Sequence, residues 1–324
     1  MIRKPFATRT LTAAATLALG LATTFGALAV DAPQTPAHAS QVAGKTGHVP
    51  MLWKVSDGDN TLYLLGSFHL LRKDDLPLSA DVDAAMDDAK TTMFETDVLS
   101  FKSPEVAAKA QKYQQIEAGA TLSGILPEAT RAKLDALLKA GGSSLSQVDG
   151  VDVWALSIGM QLGAMNALGF SGDYGPDHVL SERADRGGKP RLSLESIDDE
   201  LRTLDAQPAN EQILGLQKFL DNPKFAIEQA MRMHGDWMRG DVDGLSRDYL
   251  QQIQTETPVT YRQLVVERNN AWLPKLKARL DAHGAGDNTL AVVGALHLIG
   301  QDGLVEQLRT AGYRVERVCS DCAR

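Results

Sequence analysis

Apolar and polar positions divide the chain into two β-rich ends and a helical middle. Near the C-terminus, residues 289–293 (Thr-Leu-Ala-Val-Val) form a short apolar run behind Asp287 and Asn288. Its length and the turn-forming residues before it predict a buried strand. Gly294 ends the run, His297 follows, and a helix is expected from about 301 to 310, closed by Gly312. The same order occurs near the other end: residues 61–65 are largely apolar, Gly66 follows, and then comes His69. Residues 51–56 are a further strand candidate, and Asp57-Gly-Asp-Asn60 between the two has the composition of a hairpin turn. A helix near 79–90, with Ser79 as N-cap, leads to a strand over 91–96 whose end carries Glu95 and Asp97.

From about 100 to 285 the periodicity is helical. Amphipathic segments cover about 104–117 and 127–139, and 151–168 is apolar on nearly every face, which predicts a helix buried all round. Gly172-Asp-Tyr-Gly-Pro-Asp-His178 opens a helix to about 186, and Arg191-Leu-Ser-Leu-Glu195 reads as a short strand ending on a carboxylate. Further helices are expected at about 208–221, 223–238, 241–253 and 258–283, the last carrying Arg268. The fold class that follows is mixed α/β (α+β): a central, mostly parallel sheet drawn from both chain ends, with the helical region inserted between them.

Residues 1–39 are expected to lie outside that fold. Arg3, Lys4 and Arg9 accompany an apolar run over 11–30, and Ala37-His-Ala39 is a small-x-small cleavage site. This is the pattern of a signal peptide, with an uncleaved anchor as the alternative. Residues 40–49 read as a flexible linker, 50–318 as one domain and 319–324 as a tail. Removing 1–39 takes three basic residues and Asp31 from totals of 33 and 41, leaving a net charge of −10. That balance speaks against nucleic acid or an anionic membrane as partner. The protein is expected to be exported, periplasmic or secreted, with no membrane insertion once the signal is removed. The only cysteines, Cys319 and Cys322, suit a local disulfide in an oxidising compartment, and no further zinc ligands stand near them in sequence.

Chemistry concentrates on the histidines. With seven histidines and 28 glycines in 324 residues, chance gives fewer than one Gly-x-x-His, and three occur, the third being Gly175-Pro-Asp-His178. Context separates them, because only His69 and His297 follow an apolar strand. A strand end is where open α/β sheets gather their chemistry, and the glycine is expected to let the chain turn sharply there and to allow close approach. If the strands are parallel neighbours, His69, Glu95 and His297 meet at one sheet edge. Two imidazoles and a carboxylate are a recurring set for a divalent metal with open positions.

The segments Leu62-Tyr-Leu-Leu-Gly-Ser-Phe-His69, Phe94-Glu-Thr-Asp97, Arg191-Leu-Ser-Leu-Glu195, Val266-Glu-Arg-Asn269 and Val293-Gly-Ala-Leu-His-Leu-Ile-Gly300, in this order, resemble the TraB/GumN family. The resemblance runs from about residue 50 to 318. That family includes the TraB/PrgY pheromone-shutdown proteins, the GumN proteins and the Tiki metalloproteases, and is related to erythromycin-esterase and ChaN-like proteins. It implies a metal-dependent hydrolase, with manganese or cobalt favoured and zinc as an alternative. By position it carries the motif histidines onto His69 and His297, the glutamates onto Glu95 and Glu195, and the arginine onto Arg268, with Asn269 beside it. The middle pair of Gly294-Ala-Leu-His297 is larger than the family's usual small pair.

The function expected on these grounds is that of a metallopeptidase-type hydrolase acting on a peptide or protein substrate. His69, Glu95 and His297 would hold the metal, Glu95 or Glu195 would serve as ligand or base, and Arg268 would stabilise an oxyanion. Two alternatives stay open here: an envelope protein that binds peptide or polysaccharide without catalysis, and a metal-independent hydrolase, similar to the erythromycin esterases, with His69 as general base.

Overall fold

The computed structural model describes residues 48–281, 286–320 and 322. The expected signal peptide and residues 40–47 of the linker lie outside the described residues. Strands β1 (Leu52–Ser56) and β2 (Thr61–Ser67) form the expected hairpin, in which Asp57 Oδ1 accepts from the Asn60 N–H at 3.1 Å. They are followed by β3 (Leu71–Arg72), β4 (Thr91–Phe94), β5 (Phe170–Ser171), β6 (Arg191–Ser193), β7 (Thr289–Gly294) and β8 (Arg314–Arg317). β3 and β5 pair in a small antiparallel sheet of their own. The other six make one sheet in the order β6-β4-β7-β2-β1-β8, in which β6, β4, β7 and β2 are mutually parallel and β1 is antiparallel to both of its neighbours.

The sheet's position explains the sequence pattern. β4 and β7 are central and every residue in them is buried, so they read as unbroken apolar runs rather than as alternations. β8 lies at an edge and alternates exposed with half-buried positions; its Arg314, Glu316 and Arg317 kept it from being expected as a strand. Because the four parallel strands run the same way, their C-terminal ends share one edge. Ser67 stands opposite Gly294, and Phe94 stands opposite both Val292 and Ser193. The chain leaving those ends carries His69, Glu95, Glu195 and His297.

The helical region holds satellite cores of its own, one around Leu134, Leu156 and Leu216 and another around Trp154 and Leu201. Three expectations need correcting. The helix Val153–Ala167 buries Val153, Trp154, Leu156, Met160 and Met165, but Ile158 and Leu162 are only half-buried. Its all-round apolarity reflects a cleft on one side, not burial on every side. The single helix expected over 258–283 is three segments, Pro258–Tyr261, a π-helical turn Arg262–Glu267 and Arg268–Leu280. The one expected over 241–253 is likewise interrupted by a π-helical turn, Ser246–Leu250. A π turn adds one residue to the spiral and shifts the register of everything after it, which a short periodic pattern does not reveal. Among the described residues no helix is long and apolar enough to cross a membrane. Cys319 and Cys322 are joined as a disulfide.

Candidate functional site

Gly294, the last residue of β7, is the point about which the site is gathered. A methyl group placed on it would stand 3.2 Å from His69 Nε2, 3.3 Å from Glu95 Oε1 and 3.5 Å from His297 Cδ2. The two histidines and the glutamate are therefore within a few ångströms of one another, and any larger residue here would press on His69 and Glu95. Gly66 and Gly294 do not adopt a positive φ. What they supply is space for close approach, so the sharp turn expected of them is not their role.

Each imidazole is fixed from behind. His69 Nδ1 donates to Asp177 Oδ2 at 3.0 Å, and Ser67 Oγ donates to Asp177 Oδ1 at 3.1 Å. Asn269 Nδ2 donates to the carbonyls of His297 (3.0 Å) and Asp302 (2.8 Å). Its amide oxygen must then accept, and it does so from His297 Nδ1 at 2.7 Å. The protons are thus held on both Nδ1 atoms, and the Nε2 atoms face the cleft.

Arg268 binds the acids together. Its Nη2 donates to Glu95 Oε2 at 2.7 Å and to Glu195 Oε1 at 2.6 Å, its Nε to Glu195 at 3.0 Å, and its Nη1 to His297 Nε2 at 3.1 Å. Trp272, one turn further along the same helix, donates its Nε1 to Glu195 Oε2 at 3.1 Å and lies under the guanidinium. The Gly294 N–H completes the shell of Glu95 at 2.6 Å. The structure brings all five sequence-derived residues to one site.

Electrostatics separate the two histidines. Burial, with Arg268 and His69 adding to it, lowers His297 to about 3 against the pull of Glu95, so this ring is neutral at ordinary pH. At His69 burial opposes the charge, but Asp177, Glu95 and Glu200 outweigh it and raise the imidazole above its ordinary range. More than half of the His69 side chain is solvent-exposed, so water screens this effect and the direction is what matters. Burial likewise works against the charge of Glu95, yet Arg268, the two histidines and Gly294 hold it far below the usual carboxylate range. Burial raises Glu195 in spite of Arg268.

Residues 51–317 match the model of the TraB/PrgY/gumN family. The chain belongs to that family. Among its curated relatives is the uncharacterised protein YbaP of Escherichia coli (strain K12), 24% identical over 252 residues, which are 78% of this chain and 89% of YbaP. YbaP of Shigella flexneri matches to the same extent. This member of the TraB/PrgY/gumN family carries His69, His297, Glu95, Glu195 and Arg268 at the shared end of four parallel strands.

Sequence reasoning missed two acids of the site. Asp177 belongs to the third Gly-x-x-His, discounted because no strand precedes it. In the fold that stretch docks on the first motif: Asp177 holds His69, and a side chain on Gly175 would stand 2.3 Å from the His69 carbonyl oxygen. The third occurrence of the spacing was the available signal. Glu200 sits near the start of the helix Ile197–Asp205, where it reads as one of three solvated acids. It accepts from Thr96 Oγ1 at 3.0 Å and faces the same cleft as His69 and Glu95. Burial, with Glu95 and Glu195 adding to it, pushes its carboxyl up to about 7 against Arg268. No sequence signal distinguished it from Asp198 and Asp199.

The donor chemistry suits a divalent cation: two imidazoles with their Nδ1 sides engaged, and a carboxylate beside them. Among the described residues no three of His, Cys, Asp or Glu stand as a ready-made cage. The cation at those atoms is the Arg268 guanidinium, between His297 Nε2 and Glu95 Oε2.

Proposed function

We propose that the protein is an exported metal-dependent hydrolase that cleaves peptide bonds. The observation that carries this reading is the matched setting of the two histidines, each held at Nδ1 by a buried partner, with His69 Nε2 beside Glu95 Oε1 over Gly294 and His297 Nε2 on Arg268. His69, Glu95 and His297 would hold the ion, manganese or cobalt before zinc. Such an ion acidifies a bound water and polarises a carbonyl. The chain's own residues do the rest. Asp177 and Asn269 fix which nitrogen of each ring is free. His69 has to release its Nε2 proton to become a donor, so affinity should weaken as pH falls. Arg268, its charge held in a buried frame of carboxylates, stabilises the negative charge that builds on an attacked carbonyl oxygen. Glu200, poised near neutrality, can take a proton from water and return it to a leaving amine. Export is supported by the apolar run over 11–30 ahead of Ala37-His-Ala39, and by a disulfide that suits an oxidising compartment.

The test is turnover of a peptide library by the purified protein, with added manganese and with a chelator. Cleavage should appear with the metal, disappear on chelation and return on replenishment. His69→Ala and His297→Ala should each abolish it while the circular dichroism stays native. Cleavage that survives chelation would support the metal-independent reading instead, which the His69–Asp177 pair favours because a carboxylate also orients a general base. Against that reading stands the raised basicity of His69, which disfavours the neutral ring that a general base needs. A metal-loaded protein that cleaves no member of the library would overturn the peptidase reading.

A further inference from the structure

Two cavities, of about 380 and 330 Å³, meet at the site and share His69, Leu70 and Leu204. Each is within the size range of small-ligand pockets. Their walls come from different parts of the helical region. The first is faced by Met233 and Trp237 of the helix Pro223–Met238 and by Leu264 and Val265 of the π turn. The second is faced by Phe101 and by Ile158 and Leu162, one helical turn apart on Val153–Ala167. Charged and titratable side chains lie close to the seam: Arg268 and His297 on the first side, Glu95, Asp177, His178 and Glu200 on the second. Ile158, Leu162, Met233 and Leu264 remain half-buried. Folding alone does not account for apolar side chains left open on both sides of a polar seam; a partner that covers them does.

We propose that the cleft takes an extended peptide with bulky apolar side chains on both sides of the bond presented to His69, one in each cavity. Leu70 and Leu204 form the ridge between the two, under the backbone of the bound chain. The walls are largely apolar, and Trp237 and Phe101 in them are buried, so they favour peptide side chains over sugar rings, whose hydroxyls would lose water without gaining partners there. Only the claim that this bond is cut rests on the hydrolase reading; the two-sided apolar preference does not.

Binding of uncleavable fluorescent peptides, with an N-methylated central bond, separates the two claims. Fluorescence polarisation on the full chain should show peptides with Leu or Phe on both sides binding at least about tenfold tighter than those with Gly or Asp on either side, since an apolar pocket discriminates by roughly 10–200-fold. Leu162→Glu should erase the preference on one side of the bond only, and Met233→Glu on the other side only. Leu162→Ser and Met233→Ser are milder versions that should shift the same sides. Affinity indifferent to both flanking side chains would overturn the proposal. So would two variants acting on the same side, or an oligosaccharide binding more tightly than any peptide. Selective binding without cleavage of the corresponding ordinary peptides would uphold this inference and count against the hydrolase reading.

Discussion

Arg268 and Asn269 are neighbours in sequence that serve the site in different ways. Arg268 neutralises two buried carboxylates, so replacing it strands both. Arg268→Met should lower stability by about 3–5 kcal/mol in denaturant titration. Arg268→Lys should recover only part of the loss, because an ammonium cannot serve Glu95, Glu195 and His297 in one plane. Asn269 is fully buried and spends its whole amide on His297 and the Asp302 carbonyl. Asn269→Leu should cost roughly 1–3 kcal/mol through unpaired polar groups. It should also weaken any metal bound through His297 by about 10–100-fold, measured by titration calorimetry. Glu200 behaves in the opposite sense to Glu95. Its folded carboxyl lies near 7, above its unfolded value, so its contribution to stability is complete below the ordinary carboxylate range and disappears as pH rises through 7. Glu200→Gln should therefore stabilise the protein at pH 8 by roughly 1–3 kcal/mol and have little effect at pH 4.

At the level of elements, the π turn Arg262–Glu267 sets where Arg268 points. Arg268, Trp272, Leu276 and Leu280 follow at intervals of four and form the face that meets the sheet and Glu195. Removing Gln263 to convert the turn to ordinary α-helix would rotate that face by about 100°. The expected outcome is loss of turnover and of metal binding with near-native far-UV circular dichroism. Retained activity would show that the turn has no positioning role. The segment containing Gly175 and Asp177 is a second positioning element, clasped against the His69 carbonyl. Gly175→Ala should force it away, costing about 1–3 kcal/mol in stability.

For the whole molecule, the buried charge pattern predicts sensitivity to acid. Glu95, held far below its ordinary range, stabilises the fold above that range and ceases to do so as pH falls. His297, lowered to about 3, adds stability above 6.5 that is lost progressively toward 3, as the unfolded chain takes up a proton the folded ring refuses. In the Glu200→Gln variant, which lacks the opposing gain of Glu200 on acidification, thermal unfolding followed from pH 7.5 to 4 should show a falling midpoint. His297→Asn should flatten the part of that fall below pH 6.5.

What the sequence determined by itself were the elements whose environment is local or uniform. The hairpin at Asp57, the Ser79 cap and the buried runs of β4 and β7 follow from turn chemistry and from burial on both faces. His69, Glu95, Glu195 and His297 were legible because each lies just beyond a strand or strand-like run, and parallel strands bring their ends to one edge. Only the tertiary structure decided the order of the strands and the role of Asp177. It also placed Glu200 among the site acids and opened the two cavities beside His69. Those features arise where segments distant in sequence press together, and the physics that selects them, a carbonyl against a glycine or a carboxylate in a shared field, has no period along the chain. The two π turns fall between these cases. One extra residue leaves almost no mark on hydropathy, but it decides which way Arg268 faces.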